Sequence, residues 1–245
     1  MNVFLTGATG VLGSHLIPHL KRKYSLTLLK HRREPIDTEG VKWVCADLCQ
    51  ADALSSLLKN MDCVIHLAAV THTDDIDRYF ECNVTGTHNL VRAAEIHKVK
   101  HLIFVSTRTV DPSGGAYAQS KLAAENIVKS SQLNWTIVRP AEVYGGSSKE
   151  MVSRLVCLIR NSNFIPLPDD GSAKIAPLFI EDMVRFIVRI ILNNKAYKKI
   201  YTLTGPTEYA LEEFVDRVAY CLGKQRKVIK INIPLFFLRF LLKVN

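Results

Sequence analysis

The chain has 245 residues, of which 48% are hydrophobic and 22% charged, a balance that excludes a disordered chain and suits one large core with a smaller appendage. Its net charge of +9 gathers at Lys21-Arg22-Lys23, at Lys30-His31-Arg32-Arg33 and from Lys224 to Lys230; with no interleaved aromatics and no known nucleic-acid module, these clusters argue for solvated faces and one phosphate pocket, and against nucleic acid as a partner. The cysteines (Cys45, Cys49, Cys63, Cys82, Cys157, Cys221) contain no Cys-x-x-Cys pair, so buried free thiols in a reducing compartment are expected, with no metal site or disulfide framework.

The first apolar run, Val3-Phe4-Leu5, stops at Thr6-Gly7-Ala8-Thr9-Gly10-Val11-Leu12-Gly13, and an apolar helix pattern begins at once. Strand, glycine-spaced turn and helix in that order build the pyrophosphate site of an open α/β sheet. Gly7 supplies the sharp turn, Gly10 lets backbone approach phosphate, and Gly13 lets helix and strand pack closely. The diphosphate is expected over free N–H groups at the positive end of the helix dipole. Because a core strand begins the chain, no targeting peptide is expected ahead of it, and the cytoplasm is the expected location.

The first helix is expected over Val11 to Lys23, with a kink or early end at Pro18. Ser25 to Lys30 reads as the second strand. Where dinucleotide folds place an acidic residue against the adenosine ribose, this chain offers Lys30, His31, Arg32 and Arg33, cations that suit a 2′-phosphate. NADP is therefore expected, with NAD as the alternative cofactor; a basic loop in solvent is the competing reading.

Further strands are expected at Val41 to Cys45, from Cys63 into Ala69, at Leu102 to Ser106 and at Thr136 to Arg139. Helices are expected at Ala53 to Leu58, over 79–97 and from Tyr117 to Ser130. This alternation implies an α/β fold, a doubly wound parallel sheet of Rossmann type. The expected division is a dinucleotide-binding domain, 1–145 with 178–204, and a small C-terminal substrate domain, 146–177 with 205–245. In the latter, Met151 to Arg160 and Leu211 to Leu222 suit helices. Arg154, Arg160 and Lys174 fit solvent better than an anionic substrate. The apolar run Ile233 to Lys243 is too short to span a bilayer; packing on the small domain is favoured over a dimer contact or a membrane surface.

A set of ordered motifs spans almost the whole chain: Thr6 to Gly13, Ala46-Asp47-Leu48, His66-Leu67-Ala68-Ala69, Asn83-Val84-Thr85-Gly86-Thr87, Phe104-Val105-Ser106-Thr107, Tyr117-Ala118-Gln119-Ser120-Lys121 and Arg139-Pro140-Ala141-Glu142-Val143-Tyr144-Gly145. Asp170-Gly171-Ser172 through Ile180-Glu181-Asp182-Met183, and Tyr201 to Gly205, continue the series. The sequence resembles the extended short-chain dehydrogenase/reductases, the NAD(P)-dependent epimerase/dehydratase family. That resemblance implies Tyr117 as general acid/base and Lys121, four residues on and on the same helical face, as the ammonium that lowers its pKa and binds the nicotinamide ribose. It implies a hydroxyl partner at Thr107, with Ser106 the alternative one residue earlier. Asn83 would order a relay water or serve structure alone. Gly7, Thr9, Gly10, Val11, Leu12 and Gly13 would hold the diphosphate; Asp47 and Leu48 would flank the adenine. Leu67, Ala68 and Ala69 would lie along the cofactor, and Pro140 and Val143 would border the nicotinamide. His66 reads as a core histidine.

The chain departs from its relatives after Thr107. Arg108 and Thr109 stand where the family's dehydratases carry an Asp-Glu pair, which speaks against dehydration. The short loop to Tyr117 lacks the insertion usual in nucleotide-sugar epimerases. The expectation is an NAD(P)-dependent reductase or epimerase acting on a carbonyl or hydroxyl of a sugar nucleotide or similar small molecule, with a homodimer left open. The competing reading is a non-catalytic NAD(P)-binding sensor or assembly subunit; the Tyr-Lys pair favours the enzyme.

Overall fold

The structure is a computed structural model that describes residues 1–31, 39–146, 150–224 and 228–234. It contains β1 (Asn2–Thr6), α1 (Val11–Leu20), β2 (Ser25–Lys30), β3 (Lys42–Cys45), α2 (Ala51–Leu57), β4 (Cys63–His66), α3 (Ile76–Phe80), a π-helical turn (Glu81–Thr85), α4 (Gly86–Ile96), β5 (His101–Val105), α5 (Ala116–Ser130) and β6 (Trp135–Pro140). There follow β7 (Val143–Tyr144), α6 (Met151–Asn161), β8 (Phe164–Pro168), β9 (Lys174–Ile175), β10 (Leu178–Phe179), α7 (Ile180–Ile190), a 3-10 turn (Asn194–Ala196), β11 (Lys199–Leu203), β12 (Tyr209–Ala210), α8 (Leu211–Cys221) and β13 (Ile229–Ile233).

Residues 1–140 and 180–203 form one unit. Its seven strands run in the order β11-β6-β5-β4-β1-β2-β3, every neighbouring pair parallel. Such strands need cover on both faces, and the central ones are buried almost throughout: Val3 to Thr6, Cys63 to His66 and His101 to Phe104. On one face Phe4, Val64, Leu102, Phe104 and Ile137 pack under Leu54, Leu90, Ala94, Ala124 and Val128 of the helices. Elsewhere α1 packs against α7, with Glu181 accepting from His15 at 3.0 Å. The strand order reverses between β1 and β4, where open α/β sheets form their ligand crevice.

Three helices depart from the sequence expectation. Helix α1 continues past Pro18 to Leu20, because a proline in the last turn forfeits only one intrahelical bond; Lys21 to Lys23 lie beyond it, with Lys21 N donating to Ile17 O at 2.9 Å. The single helix expected over 79–97 is broken into α3, the π-turn and α4. Helix α7 has no counterpart in the expected elements, although its buried residues Ile180, Met183, Val184, Ile187 and Ile190 follow a helical period.

The described residues of 141–179 and 204–245 form a second unit. Ile159 of α6, Ile165 and Leu167 of β8, and Val215 and Ala219 of α8 make its small core. β13 runs parallel to β8, and Lys224 Nζ donates to the carbonyls of Ile159, Arg160 and Ser162, satisfying the end of α6. Further along the same basic run, Lys230 pairs with Glu212 and Asp216, while Arg226 and Lys227 lie outside the described residues. The apolar run beginning at Ile233 lies outside the described residues from 235 onward. Among the described residues, no helix is long and apolar enough to cross a membrane.

Candidate active site

The turn after β1 is shaped by what its glycines leave out. Gly7 has φ +70°, and a Cβ there would lie 2.6 Å from Ala68 N, so the chain leaving β4 lies directly against it. A Cβ on Gly13 would meet Gly7 O at 2.5 Å and Ala8 O at 2.6 Å. Gly10 N donates to Gly7 O at 3.0 Å, and Gly10 caps α1 with no side-chain hydrogen bond, leaving the amides of the first turn, Val11 to Gly13, without a side-chain acceptor. Gly7, Thr9 and Gly10 line a pocket together with His31, Asp47, Leu48, Leu67, Ala68 and Ala69. A cradle of bare backbone at a helix N-terminus, continued by an apolar slot, fits a dinucleotide.

At the far end of β2, Lys30 is the last strand residue, and His31 Nε2 lies 3.5 Å from Asp47 Oδ2. The basic cluster therefore meets an acidic partner that the sequence reading had assigned to the adenine. Arg32 and Arg33 lie outside the described residues.

A chain of buried hydrogen bonds ties this pocket to α5. Ala68 N donates to Thr6 Oγ1, which meets His66 Nδ1 at 2.6 Å; His66 Nε2 meets Thr87 Oγ1 at 3.0 Å, and Thr87 donates to Asn83 O at 2.6 Å. Burial drives the His66 pKa down to about 3, with the Lys121 charge adding to the effect, so the ring is a neutral core histidine. In the π-turn, Asn83 Oδ1 accepts from Val70 N at 2.8 Å, while Nδ2 donates to Val70 O and to Ser120 Oγ, each at 3.0 Å. Both of its amide hydrogens are thereby engaged. The π geometry turns this carboxamide inward between β4 and α5.

On α5, Tyr117 is half-buried and Lys121 is 2% exposed. Lys121 Nζ donates to Val105 O at 2.8 Å and sits 4.2 Å from the Phe104 ring centroid. Burial draws its pKa down to about 7 against the opposing pull of Glu125. Thr107 acts on Tyr117 to lower its pKa, and Thr107 Oγ1 meets Thr109 Oγ1 at 3.0 Å. Ser106 Oγ is buried without a partner at hydrogen-bonding geometry, although it helps hold the Glu125 carboxylate ionised.

The electrostatics of Tyr117 depart from the sequence expectation. Its pKa lies above the ordinary phenol value: burial raises it, the Thr107 hydrogen bond pulls it down, and Tyr79 adds a further rise. The Lys121 ammonium points instead to the Val105 carbonyl. Pro140 ends β6, and its carbonyl accepts from Arg108 N at 3.0 Å. Val143 belongs to β7 of the second unit, where it pairs with Leu178.

Several residues at the site escaped the sequence reading. Tyr79 stacks at 6.1 Å from the Tyr117 ring, its hydroxyl accepting from Thr73 N and donating to Thr71 O. Cys49 and Cys82 line the pocket beside one another. Burial, reinforced by Asp47 and Cys82, pushes the Cys49 thiol up to about 12. The expectation of buried cysteines is corrected here: only Cys63 is buried, while Cys45, Cys157 and Cys221 are exposed because each falls on an outward-facing position of its element.

Comparison with known proteins gives four concordant findings. A family profile described as the NAD dependent epimerase/dehydratase family matches residues 3–203. The chain is 26% identical over 250 residues to UDP-glucose 4-epimerase of Vibrio cholerae, covering 91% of this chain and 76% of that protein. It is 30% identical over 237 residues to ceramide reductase of Caulobacter vibrioides, covering 95% and 74%. Among solved structures, UDP-glucuronic acid 4-epimerase from Bacillus cereus in complex with NAD superposes with a TM-score of 0.79 at 22% identity, covering 96% of this chain and 86% of that one, a likeness of fold.

Proposed function

Because this chain belongs to the NAD dependent epimerase/dehydratase family, we propose that it is an NAD(P)-dependent reductase or epimerase that exchanges hydride at a secondary alcohol or ketone of a sugar nucleotide or similar small molecule. The observation that carries this reading is the Asn83 bridge. Val70, in the pocket wall, and Ser120, between Tyr117 and Lys121, are held by one carboxamide, so the dinucleotide cradle and the acid/base pair share a single rigid frame.

The dinucleotide supplies or accepts the hydride. The chain's residues do the rest. Backbone amides from Val11 to Gly13 hold the diphosphate, and Leu48, Leu67, Ala68 and Ala69 exclude water along it. Tyr117, whose phenol keeps its proton at neutral pH, donates that proton to the carbonyl oxygen during reduction and recovers it during oxidation. Thr107 orients the phenol and the substrate oxygen, and Lys121 holds the nicotinamide ribose. A protonated phenol suits the reductive direction. NADP is favoured over NAD, since β2 ends in Lys30-His31 where a carboxylate would repel a 2′-phosphate. Residues 146–177 and 205–245 would provide the substrate domain.

The test is fluorescence titration of the full chain with NADPH and NADH, followed by incubation with UDP-glucose and UDP-galactose. Saturable cofactor binding and interconversion, or cofactor-dependent reduction of a 4-keto sugar nucleotide, are the expected results. No cofactor binding at millimolar concentration would overturn the reading.

A further inference from the structure

Tyr117, Lys121 and Glu125 recur at every fourth residue of α5 and so form one column on its inner face. Lys121 is 2% exposed and Glu125 has no exposed surface. Two such groups stay ionised away from water only when each has a counter-charge. What surrounds Lys121 is mostly neutral: the Val105 carbonyl and Phe104 ring on β5, the phenol of Tyr117 on its own helix, and on β4 the imidazole of His66, which burial keeps uncharged. Glu125 is the anion that acts on it. Glu125 is in turn gripped from β6 by a two-pronged contact, Arg139 Nε to Oε1 at 2.8 Å and Nη2 to Oε2 at 2.6 Å, with Lys129 at 3.6 Å from Oε2. Burial favours protonating this carboxylate; the guanidinium fork, Ser106 and Lys129 outweigh it and hold the group below the ordinary value.

We infer that Glu125, locked by Arg139, is the positioning residue for Lys121: it supplies the counter-charge that keeps the buried ammonium protonated and seated on the Val105 carbonyl, one helical turn from the phenol. This rests on the catalytic reading of Tyr117 and Lys121 above. The chain thus places a carboxylate behind the lysine, where it steadies the charge without competing for the ribose or the substrate. A pair that merely joined β6 to α5 would contribute to melting temperature and leave the lysine's proton equilibrium alone.

The experiment is NMR titration of the full chain carrying 13Cε-lysine, with the Lys121 signal identified by its loss in Lys121→Arg. In the wild type this signal is expected to titrate near neutrality, apart from the surface lysines. In Glu125→Gln its midpoint should fall by about one pH unit or more. Because that variant leaves Arg139 without its partner, the neutral pair Glu125→Gln/Arg139→Gln is measured beside it and should show a fall in the same direction, smaller because the guanidinium charge is gone too; Glu125→Asp should recover part of the shift. An unmoved midpoint in either folded variant overturns the inference. Activity of Tyr117→Phe separates the two claims: full turnover there would defeat the catalytic reading while leaving the lysine titration as found.

Discussion

Thr6 Oγ1 and His66 Nδ1 lie 2.6 Å apart across the ends of β1 and β4, at the point where the sheet order reverses. The imidazole must be neutral with Nδ1 accepting, since Thr87, which meets Nε2, already donates its own proton to Asn83 O. One protonation event would therefore strain the frame that joins the pocket to α5.

An acid sensitivity follows. Burial lowers His66 to about 3 and His101 to about 4. His101 Nδ1 accepts from Leu192 N at 3.1 Å and Nε2 meets Thr136 Oγ1 at 2.9 Å, so its ring has no room for a second proton. In the unfolded chain both titrate near pH 6.5. Their stabilisation is complete above that value and is lost as pH falls toward the folded values, because the unfolded state then binds more protons. The urea midpoint should be level between about pH 7 and 8 and should fall by an amount worth about 2 kcal/mol per histidine by pH 5. In His101→Gln the fall should shrink. A midpoint unchanged from pH 7 to pH 5 would contradict this account.

Replacing Tyr117 by Phe removes the proton donor and leaves the apolar packing on Tyr79 in place. Turnover should drop by about a thousandfold or more, with cofactor affinity held within about twofold. Thr107→Val should cost less, roughly a hundredfold, since it orients the phenol and does not itself supply the proton. Steady-state kinetics together with cofactor titration separate these outcomes. Equal activity in Tyr117→Phe would point to a differently built site.

The glycine turn offers a sharper steric test. Gly13→Ala places a methyl 2.5 Å from Gly7 O and 2.6 Å from Ala8 O, both backbone atoms that cannot step aside. Helix α1 must tilt away from β1, and the cradle opens. Cofactor affinity should fall by at least about tenfold, and the melting temperature by several degrees. Titration and thermal unfolding read the two effects separately; a variant with normal affinity would show that the cradle is not the diphosphate site.

What the sequence made legible follows the range over which each constraint acts. Gly7 and Gly13 were readable because backbone proximity dictates the residue type locally. The Tyr117–Lys121 spacing was readable for the same reason, and the parallel sheet from the alternation of short apolar runs with helices. The π-turn was not, since Asn83 is drawn inward by Val70 and Ser120, 13 and 37 residues away. The direction of the Tyr117 shift was misread because it depends on where Lys121 Nζ points, toward Val105 on another element. Helix α7 went unread, although Ile180, Met183, Val184 and Ile187 follow a helical period.

Cofactor choice provides the last prediction. A 2′-phosphate adds close to two negative charges at the adenosine end of the pocket, where Lys30 and His31 stand and where Asp47 lies 3.5 Å from the imidazole. If the Lys30 ammonium meets the phosphate, NADPH binding must weaken with salt more steeply than NADH binding, because the extra contact is a partly exposed charge interaction that ions screen over about 10 Å at 0.1 M. NADPH should bind the tighter of the two in low salt, and Lys30→Ala combined with His31→Ala should reduce that advantage about tenfold while leaving NADH within about twofold. Asp47 works against the phosphate unless His31 keeps it engaged, so Asp47→Asn should strengthen NADPH binding and leave NADH nearly unaltered. Fluorescence titrations of both cofactors at two ionic strengths supply every comparison. An NADH affinity equal to or above that for NADPH, with matching salt slopes, would assign the β2 cations to solvent and the cofactor to NAD.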